Sequence, residues 1–279
     1  MLQTVIDIVK GAAAVMTAGD FTVHYKDNPD NLVTTKDVAV EAYIKSALSA
    51  AIPDLGFIGE EEDFAADALT HRYTAVVDPI DGTMNFTRQM NLSVVSVALL
   101  RDGAPYIGVV CNPYTNELFY AERGKGAFLN GKPIHVSDRP LREACYFTAW
   151  SLYKKEYAPP CFDIAREIYA DTGDIRRLGV CALELCYLAA GRGELYFEIR
   201  VFPWDLPPRK SSSPRRAGTS ALSAVHGRAT TVRSPSSAQT AAKTSPTLSK
   251  RSSNMCPSSP MTTERNASET EIRELPPDR

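Results

Sequence analysis

The stretch that decides the fold is Asp78-Pro-Ile-Asp-Gly-Thr-Met-Asn-Phe86, where two carboxylates stand three residues apart. The run before it, Tyr73 to Val77, is apolar and β-branched, which predicts a buried strand. We therefore expect Asp78 and Asp81 at the point where this strand ends and the chain turns. Taken alone, an Asp-rich turn is typical of a surface loop without chemistry, so the surrounding sequence has to decide.

The residues between and after the two carboxylates favour a site for a cation and an anion. Pro79 fixes one backbone angle and so limits how far the carboxylates splay, and the Ile80 carbonyl adds a third oxygen between them. Gly82 lets the backbone approach a ligand closely. If a helix begins here, the amides of Gly82 and Thr83 face outward as an anion site. Hard oxygen ligands beside such a cradle predict Mg²⁺ and a phosphate group.

Two further acidic segments strengthen this prediction. Residues 57 to 62, Phe-Ile-Gly-Glu-Glu-Glu, place three carboxylates after a short apolar stretch, and Pro203-Trp-Asp205 follows an apolar-rich run. Carboxylates that converge in one cleft repel each other unless cations offset their charge, which argues for metal. A metal would also offset the charge of a phosphate monoester, activate a water molecule and stabilise the leaving oxygen.

These segments, in this order, resemble the inositol monophosphatase family of Mg²⁺-dependent, lithium-sensitive phosphatases. The matching stretches are Asn31 to Asp37, Ile58 to Glu61, Asp78 to Phe86, Gly124 to Phe128 with Asn130-Gly131, Gly179 to Gly191, and Trp204-Asp205. Together they cover roughly residues 1 to 206. The resemblance implies an α+β fold, a layered α-β-α-β-α sandwich of the sugar-phosphatase type, incomplete in its C-terminal part.

The resemblance also implies roles for single residues. The metal ligands would be Glu60, Asp78, the Ile80 carbonyl, Asp81 and Asp205, with Asp37 as a candidate for an outer metal site. Glu60, Thr83 and Asp81 would form the catalytic set, with Thr83 and Glu60 orienting the attacking water. The phosphate and the substrate hydroxyls would be held by Gly82, Thr83, Gly179 and Glu198. Because the water attacks directly, neither a cysteine nor a serine is predicted as a nucleophile.

Hydrophobic spacing predicts the remaining elements. Helices are expected at 2–18, at about 36–51 with Thr35 as the cap, at about 156–171, and from Val180 to Gly191. Strands are expected at 92–100, 106–111 and 118–121, and Asn130-Gly131 is a strong hairpin signal. The apolar faces of the first two helices are interpreted as core packing.

The chain changes character after Asp205. All 24 Phe, Trp and Tyr residues lie before residue 207, and residues 207 to 279 hold 12 basic and 5 acidic residues in a composition rich in Ser, Pro and Thr. Such a segment cannot bury enough apolar surface to offset its ordering entropy. We predict a truncated catalytic domain over 1–206 and a low-complexity, basic, disordered tail over 207–279.

One hypothesis for the tail is a shift of reading frame just after Asp205. Codons can be chosen for Leu206 to Gly218 so that the same DNA has a second reading. When translation of that DNA starts two bases later, it gives Thr-Ala-Ala-Lys-Ile-Ile-Leu-Thr-Glu-Ala-Gly-Gly. That peptide is an amphipathic helix with a glycine stop, and it resembles the family's own continuation. A genuine low-complexity tail is the alternative, and the nucleotides of the gene decide between them. Loss of the family's C-terminal part predicts low stability and weak or absent activity.

Composition limits the partners and the compartment. Residues 1 to 206 hold 19 basic and 28 acidic residues, which argues against nucleic acid, and the basic residues of the tail have no aromatics between them for base stacking. Asp7 and Lys10 interrupt the apolar N-terminal stretch, so no signal peptide is predicted, and no apolar run reaches transmembrane length. Six cysteines without paired spacing indicate reduced thiols and a cytoplasmic protein.

The predicted activity is hydrolysis of inositol monophosphate or a similar small polyol or sugar phosphate. Asn85-Phe86 resembles the inositol phosphatase branch of the family. 3′-Phosphoadenosine 5′-phosphate phosphatase and fructose-1,6-bisphosphatase activities are the enzymatic alternatives, and an inactive truncated product is the other. Val180 and Asn31 depart from the residues that many relatives carry, which leaves the substrate open. The expected partners are a phosphorylated polyol and a second copy of the chain in a homodimer, without nucleic acid or membrane.

Overall fold

The computed structural model describes residues 1–26, 31–62, 65–150 and 155–199. Its α-helices are α1 (Leu2–Thr17), α2 (Thr35–Ala51), α3 (Thr83–Thr87), α4 (Ala158–Asp171) and α5 (Cys181–Ala189). Its strands are β1 (Val23–Tyr25), β2 (Leu32–Thr34), β3 (Leu55–Ile58), β4 (Tyr73–Asp81), β5 (Val94–Arg101), β6 (Ala104–Asn112), β7 (Glu117–Glu122), β8 (Gly126–Leu129), β9 (Lys132–Pro133), β10 (Cys145–Ala149), β11 (Asp174–Arg176) and β12 (Leu195–Glu198). Asp205, which is a predicted metal ligand, lies outside the described residues. The predicted tail, to which the reading-frame hypothesis refers, lies outside them as well.

Seven strands form the larger sheet, in the order β3-β4-β5-β6-β7-β8-β9. Strands β3 and β4 run parallel, and each later pair of neighbours is antiparallel. The two-residue turns carry positive φ angles, as tight hairpins require. These turns are Asp102-Gly103 between β5 and β6, and Asn130-Gly131 between β8 and β9. The hairpin predicted at Asn130-Gly131 is confirmed.

Helices α1 and α2 cover one face of this sheet. Val5, Val9 and Met16 are buried on α1, and Ile44 and Leu48 are buried on α2. Because a helix turns once in 3.6 residues, this spacing places the buried side chains of each helix in one stripe. Both stripes join a single apolar cluster with the strand residues Val77, Val97, Leu99, Ile107 and Val109. The predicted core role of these helices is confirmed, but Val38 and Ala42, which the sequence predicts on the apolar face of α2, are exposed.

Helix α2 is capped by Thr34, so the prediction of Thr35 as its cap is wrong. The Thr34 hydroxyl accepts hydrogen bonds from the amides of Lys36 and Asp37, and the Asp37 carboxylate accepts one from the Thr34 amide at 2.7 Å. This reciprocal arrangement is a capping box, which satisfies amides that no helical carbonyl can reach. The Thr35 hydroxyl accepts instead from the Thr22 amide. The cap fixes Asp37 at the start of the helix.

Helix α5 packs on the opposite face of the larger sheet and separates it from a second sheet. It lies in one buried cluster with Val94, Val110 and Phe119, and it also contacts β12. The second sheet has the order β11-β10-β12, with parallel pairs, and Cys161 and Ala165 of α4 pack against it. The described layers alternate α-β-α-β-α, which confirms the predicted α+β sandwich.

Strand β4 extends further than the sequence predicts. It runs through Asp81, so Asp78 lies inside the strand and not at its end. The pairing of β4 with β5 shifts register between Asp78 and Asp81. This β-bulge accommodates Pro79, which has no amide hydrogen for the ladder.

Within the described ranges, no helix has both the length and the apolar character needed to cross a membrane. The five described cysteines are free thiols, four of them buried.

Candidate active site

The bulge in β4 turns the two aspartates of the motif to the same side of the sheet. Across the ladder, Asp78 pairs with Ser96 and Asp81 pairs with Val94. Ser96 and Val94 share a face because side chains alternate along a strand, so their partners share it too. In a regular strand, residues three apart point to opposite faces, and the extra residue of the bulge removes this mismatch. Both aspartates are buried, with 4% and 8% of their surface exposed.

The carboxylate of Asp81 holds the first turn of α5. Its Oδ1 accepts a hydrogen bond from the Cys181 amide at 3.2 Å, and its Oδ2 accepts one from the Ala182 amide at 2.6 Å. A carboxylate at a helix N-terminus is stabilised by the unsatisfied amides there and by the helix dipole. Asp81 therefore has a structural role in addition to the one that the motif predicts.

The Thr83 hydroxyl lies between a carbonyl of the motif and a carboxyl from α2. Helix α3 begins at Thr83, after Gly82 with its φ of +89°. The hydroxyl oxygen is 3.1 Å from the Ile80 carbonyl and 3.4 Å from Asp37 Oδ1. Burial raises the pKa of the Asp37 carboxyl to about 6, against the opposing effect of hydrogen bonds from Thr34. The structure thus brings Asp37 beside Thr83.

Glu60 lies on a loop that wraps around a buried carboxyl from α2. The Glu41 side chain is fully enclosed, and its Oε2 accepts a hydrogen bond from the Glu61 amide at 3.1 Å. A Cβ atom on Gly59 would lie 2.4 Å from that same oxygen, so the backbone can approach the carboxyl only because residue 59 is glycine. Burial raises the pKa of Glu41. Glu41 and Gly59 together shape the loop that presents Glu60.

Lys26 brings a positive charge to the same loop. Its ammonium nitrogen is 2.7 Å from Glu61 Oε2 and 3.9 Å from Glu60 Oε1. Burial alone would lower the pKa of Lys26, but the hydrogen bond to Glu61 and the nearby carboxylates of Glu60 and Asp37 outweigh it and leave the pKa raised. Sequence reasoning did not anticipate that the chain itself offsets part of this acidic charge.

Glu198 and Gly179 lie on the side of the site that α5 and β12 form. Glu198 ends β12, and its Oε2 accepts a hydrogen bond from the Tyr196 hydroxyl at 2.5 Å. Burial, with the nearby Cys181 thiol and Glu198 carboxyl, raises the pKa of Tyr196 well above its ordinary value, so this hydroxyl stays protonated as a donor. Gly179 precedes α5 with a φ of +73°.

The side chain of Val180, a residue at which the sequence is expected to depart from the family, is completely buried. It packs in the cluster between α5 and the larger sheet. A Cβ atom on Gly82 would lie 2.8 Å from Val180 Cγ2, so the two residues are in close contact. Val180 is therefore part of the packing around Gly82.

The oxygen donors at the end of β4 fit the chemistry of Mg²⁺. Asp78, the Ile80 carbonyl and Asp81 supply hard oxygen atoms from buried positions, and these are the ligands that Mg²⁺ selects. In the part of the chain that the structure describes, no group of three or more His, Cys, Asp or Glu side chains stands close enough to hold a metal ion. The donor type therefore fits the metal, although the described side chains do not complete a coordination shell by themselves.

A cavity of about 650 Å³ opens elsewhere on the surface, between α1 and the turn that joins β6 to β7. Lys10 and Thr17 line one wall, and Asn112 and Glu117 line the other. None of the motif residues borders this cavity. The oxygen ligands of the candidate site therefore lie at the end of β4 and not in this cavity.

Sequence reasoning missed two buried glutamates that support the loops of the site. Glu41 supports the Glu60 loop, and Glu184 Oε1 accepts a hydrogen bond from the Leu178 amide at 2.7 Å. Each stands on a buried helix face beside apolar residues, such as Ile44 on α2 and Leu183 on α5. A carboxyl on a buried helix face is the signal that could have identified them, because such groups are rarely buried without a compensating contact.

A family model described as "Inositol monophosphatase family" matches residues 1–208. This chain belongs to the inositol monophosphatase family. The match covers the β4 motif and the loops that carry Glu60 and Gly179, so the resemblance predicted from these segments is confirmed. Members of this family are phosphoric monoester hydrolases, and they generally depend on Mg²⁺.

Relatives in the inositol monophosphatase family cover much of the described fold. Inositol monophosphatase 2 of Saccharomyces cerevisiae is 36% identical over 192 residues, which are 65% of this chain and 66% of that protein. The Nus factor SuhB of Vibrio cholerae is 35% identical over 178 residues, which are 63% of this chain and 66% of that protein. The crystal structure of the extragenic suppressor protein suhB from Bartonella henselae matches with a TM-score of 0.67 and 29% identity, covering 80% of this chain and 82% of that one. The chain thus spans just under two thirds of the length of the first two relatives.

The buried Glu184 predicts that stability depends on pH. Burial raises the pKa of its carboxyl from 4.5 to about 8, with hydrogen bonding to Leu178 opposing the shift and nearby Glu198 adding to it. Between these values the unfolded chain binds fewer protons here than the folded protein, so the free energy of unfolding falls as the pH rises from 4.5 to about 8. We expect the melting temperature of Glu184→Gln to change less across this window than that of the wild type. Equal slopes would exclude Glu184 as a source of the dependence.

Proposed function

We propose that this protein hydrolyses inositol monophosphate, or a similar small polyol or sugar phosphate, with Mg²⁺ as its metal. The observation that carries the proposal is the bulge in β4, which turns Asp78 and Asp81 to one face with the Thr83 hydroxyl 3.1 Å from the carbonyl between them. Membership of a family of phosphoric monoester hydrolases supports the same class of reaction.

In this proposal the metal would be held by oxygen atoms. The residues that would hold it are Glu60, Asp78, the Ile80 carbonyl, Asp81 and Asp205, with Asp37 as a candidate for an outer site. When bound, Mg²⁺ would offset the charge of the phosphate and stabilise the leaving oxygen. Lys26 offsets part of the negative charge on the Glu60 loop, which lowers the repulsion between the carboxylates there.

Thr83 and Glu60 would orient the attacking water, and Asp37 would accept the proton. The Thr83 hydroxyl donates its hydrogen toward Asp37 or Ile80, which leaves its lone pairs available to a water molecule. As the water attacks, its proton would pass to the Thr83 oxygen while Thr83 passes its own to Asp37 Oδ1. Asp37 is placed for this task, because its Oδ1 lies 3.4 Å from the Thr83 hydroxyl oxygen.

Groups on the α5 side would recognise the rest of the substrate. The Tyr196 hydroxyl fixes one oxygen of Glu198, which leaves the carboxylate oriented to accept hydrogen bonds from substrate hydroxyls. The amides of Gly82 and Thr83 would contact the phosphate, and Gly179 lets the backbone approach the substrate closely. A polyol phosphate has both the phosphate group and the hydroxyl groups that these contacts require.

The test is phosphate release from inositol 1-phosphate by the full chain, with and without Mg²⁺. We expect release only with Mg²⁺, and at least about a hundredfold lower kcat/KM in Glu60→Gln. Glu194→Gln is the matched control, because the Glu194 carboxylate also accepts a backbone hydrogen bond, from Cys145, but lies outside the site. Its kcat/KM should stay close to that of the wild type.

Parallel assays with other substrates decide between the alternatives. If kcat/KM is higher for 3′-phosphoadenosine 5′-phosphate or for fructose 1,6-bisphosphate than for inositol 1-phosphate, that compound replaces inositol phosphate as the proposed substrate. A low rate of phosphate release agrees with the proposal if the release requires both Mg²⁺ and Glu60. No release from a folded protein with any of the three substrates would contradict it and favour the inactive product.

The proposal extends to the surroundings of the enzyme. We expect a homodimer, as the family resemblance implies, and no nucleic-acid partner, as the acidic balance of residues 1 to 206 favours. The cysteines without paired spacing favour the cytoplasm, and no membrane partner is expected. Light scattering on the purified chain would measure its oligomeric state.

A further inference from the structure

Leu178 is held at both of its peptide groups just before α5. Glu184 Oε1 accepts a hydrogen bond from the Leu178 amide at 2.7 Å, and Asn85 Nδ2 donates one to the Leu178 carbonyl at 2.8 Å. Asn85 also donates to the Leu92 carbonyl at 3.0 Å. Both side chains are buried, so water competes little for these bonds. The Leu178 peptide is therefore clamped between α3, which carries Asn85, and α5, which carries Glu184.

The residues that follow this clamp make contacts with the candidate active site. Gly179 turns the chain, and Val180 packs against the position of Gly82. The next two amides, of Cys181 and Ala182, bind the carboxylate of Asp81. Because these amides lie only three and four residues beyond Leu178, a displaced Leu178 peptide would displace them as well.

Packing alone does not account for a carboxyl at position 184. The Glu184 side chain is fully buried, and among the described residues no hydrogen bond reaches its Oε2. The charged groups that act on it are Glu198, which disfavours its ionisation, and Arg177, which favours it. Burying a carboxyl lowers stability, and an apolar side chain would fill the same space at lower cost. Hydrogen bonding from the backbone amides of Leu178 and Gly179 is the compensation, and it points to a role in positioning.

We propose that Glu184 is a positioning residue that, together with Asn85, clamps the Leu178 peptide and so sets the α5 amides that hold Asp81. The kinetic consequence of the clamp rests on the proposed phosphatase function, whereas the clamp itself does not. Since burial raises the pKa of Glu184 to about 8, its carboxyl is mainly protonated at neutral pH. A glutamine, which is neutral and keeps the acceptor oxygen, should therefore reproduce it.

Hydrogen exchange of the full chain without metal tests the clamp directly. In Glu184→Ala, the amides of Leu178, Cys181 and Ala182 should exchange about tenfold faster than in the wild type. In Glu184→Gln, their exchange should stay within about twofold of the wild type. Asn85→Ala leaves the carboxyl in place and should speed the same three amides, which keeps the test decisive if Glu184→Ala does not fold.

Glu194→Ala is the matched control for exchange. Its carboxylate accepts a hydrogen bond from the Cys145 amide at 2.6 Å, so this variant also removes a carboxylate bonded to the backbone. It should speed exchange at Cys145 and leave the three amides around α5 unchanged. Unchanged exchange at those three amides in both Glu184→Ala and Asn85→Ala would overturn the clamp, whatever the activity.

The Mg²⁺ dependence of phosphate release separates positioning from general stability. The Mg²⁺ concentration that gives half the maximal rate should rise about tenfold in Glu184→Ala and return to within about twofold in Glu184→Gln. Glu194→Ala should leave it unchanged. A lower melting temperature in Glu184→Ala without this rise would reduce Glu184 to a structural residue and overturn the proposal. A wild type without activity would contradict the proposed function, and hydrogen exchange would then decide the clamp alone.

Discussion

Asp81→Asn is expected to lose both activity and stability. Both carboxylate oxygens of Asp81 accept backbone hydrogen bonds from α5, at 3.2 Å and 2.6 Å. Asparagine keeps one acceptor and replaces the other with an NH₂ group, which would face an amide that is also a donor. One buried donor at the start of α5 then loses its partner, which lowers the free energy of unfolding by about 1–3 kcal/mol. The proposed metal site loses a charged ligand in the same step.

The two losses are measured separately. We expect kcat/KM for inositol 1-phosphate to fall at least about a hundredfold, and the melting temperature to fall by about 2–4 °C for each kcal/mol. Glu60→Gln is the matched comparison, since it also changes an acid to its amide in the proposed site but does not carry α5. It should lose activity with little change in melting temperature. An Asp81→Asn variant that melts like the wild type would mean that α5 does not depend on this carboxylate.

This dual role explains what the motif could and could not predict. The pattern of two aspartates, a proline and a glycine after an apolar run indicated oxygen ligands on a buried strand, and the strand is there. The bulge was not predicted, because Pro79 ends most strands and only pairing with β5 reveals that β4 continues. The contact between Asp81 and α5 joins residues one hundred positions apart, and no local pattern contains that information.

The cap of α2 illustrates a different limit. Thr34 and Thr35 are adjacent, and both are residues that cap helices well. The choice between them follows from the surroundings, because the Thr35 hydroxyl is engaged by the Thr22 amide while Asp37 completes a capping box with Thr34. Helix positions and core faces follow from hydrophobic spacing, but the partners of single polar groups depend on the assembled fold.

Gly82→Ala is expected to give the largest loss of stability among single substitutions at the site. Gly82 has a φ of +89°, in a region where an L-residue costs about 1–2 kcal/mol. A Cβ atom there would lie 2.8 Å from Val180 Cγ2 and 3.2 Å from the Leu92 carbonyl oxygen. Overpacking of this kind costs about 1–3 kcal/mol more. We therefore expect the free energy of unfolding in urea to fall by about 2–5 kcal/mol.

Gly124→Ala separates the cost of the backbone conformation from the cost of overpacking. Gly124 has a φ of +81°, and no atom lies within 4 Å of the position that an alanine Cβ would take there, so only the backbone cost applies and the loss should be about 1 kcal/mol. If Gly82→Ala lowers the free energy of unfolding by no more than Gly124→Ala does, the Val180 side chain moves aside without measurable cost. If the contact is tight, the double variant Gly82→Ala/Val180→Ala should be less destabilised than the sum of its two single variants, by about 1 kcal/mol. Such coupling would make Val180 the packing partner that holds Gly82, and through it Asp81 and Thr83, against α5.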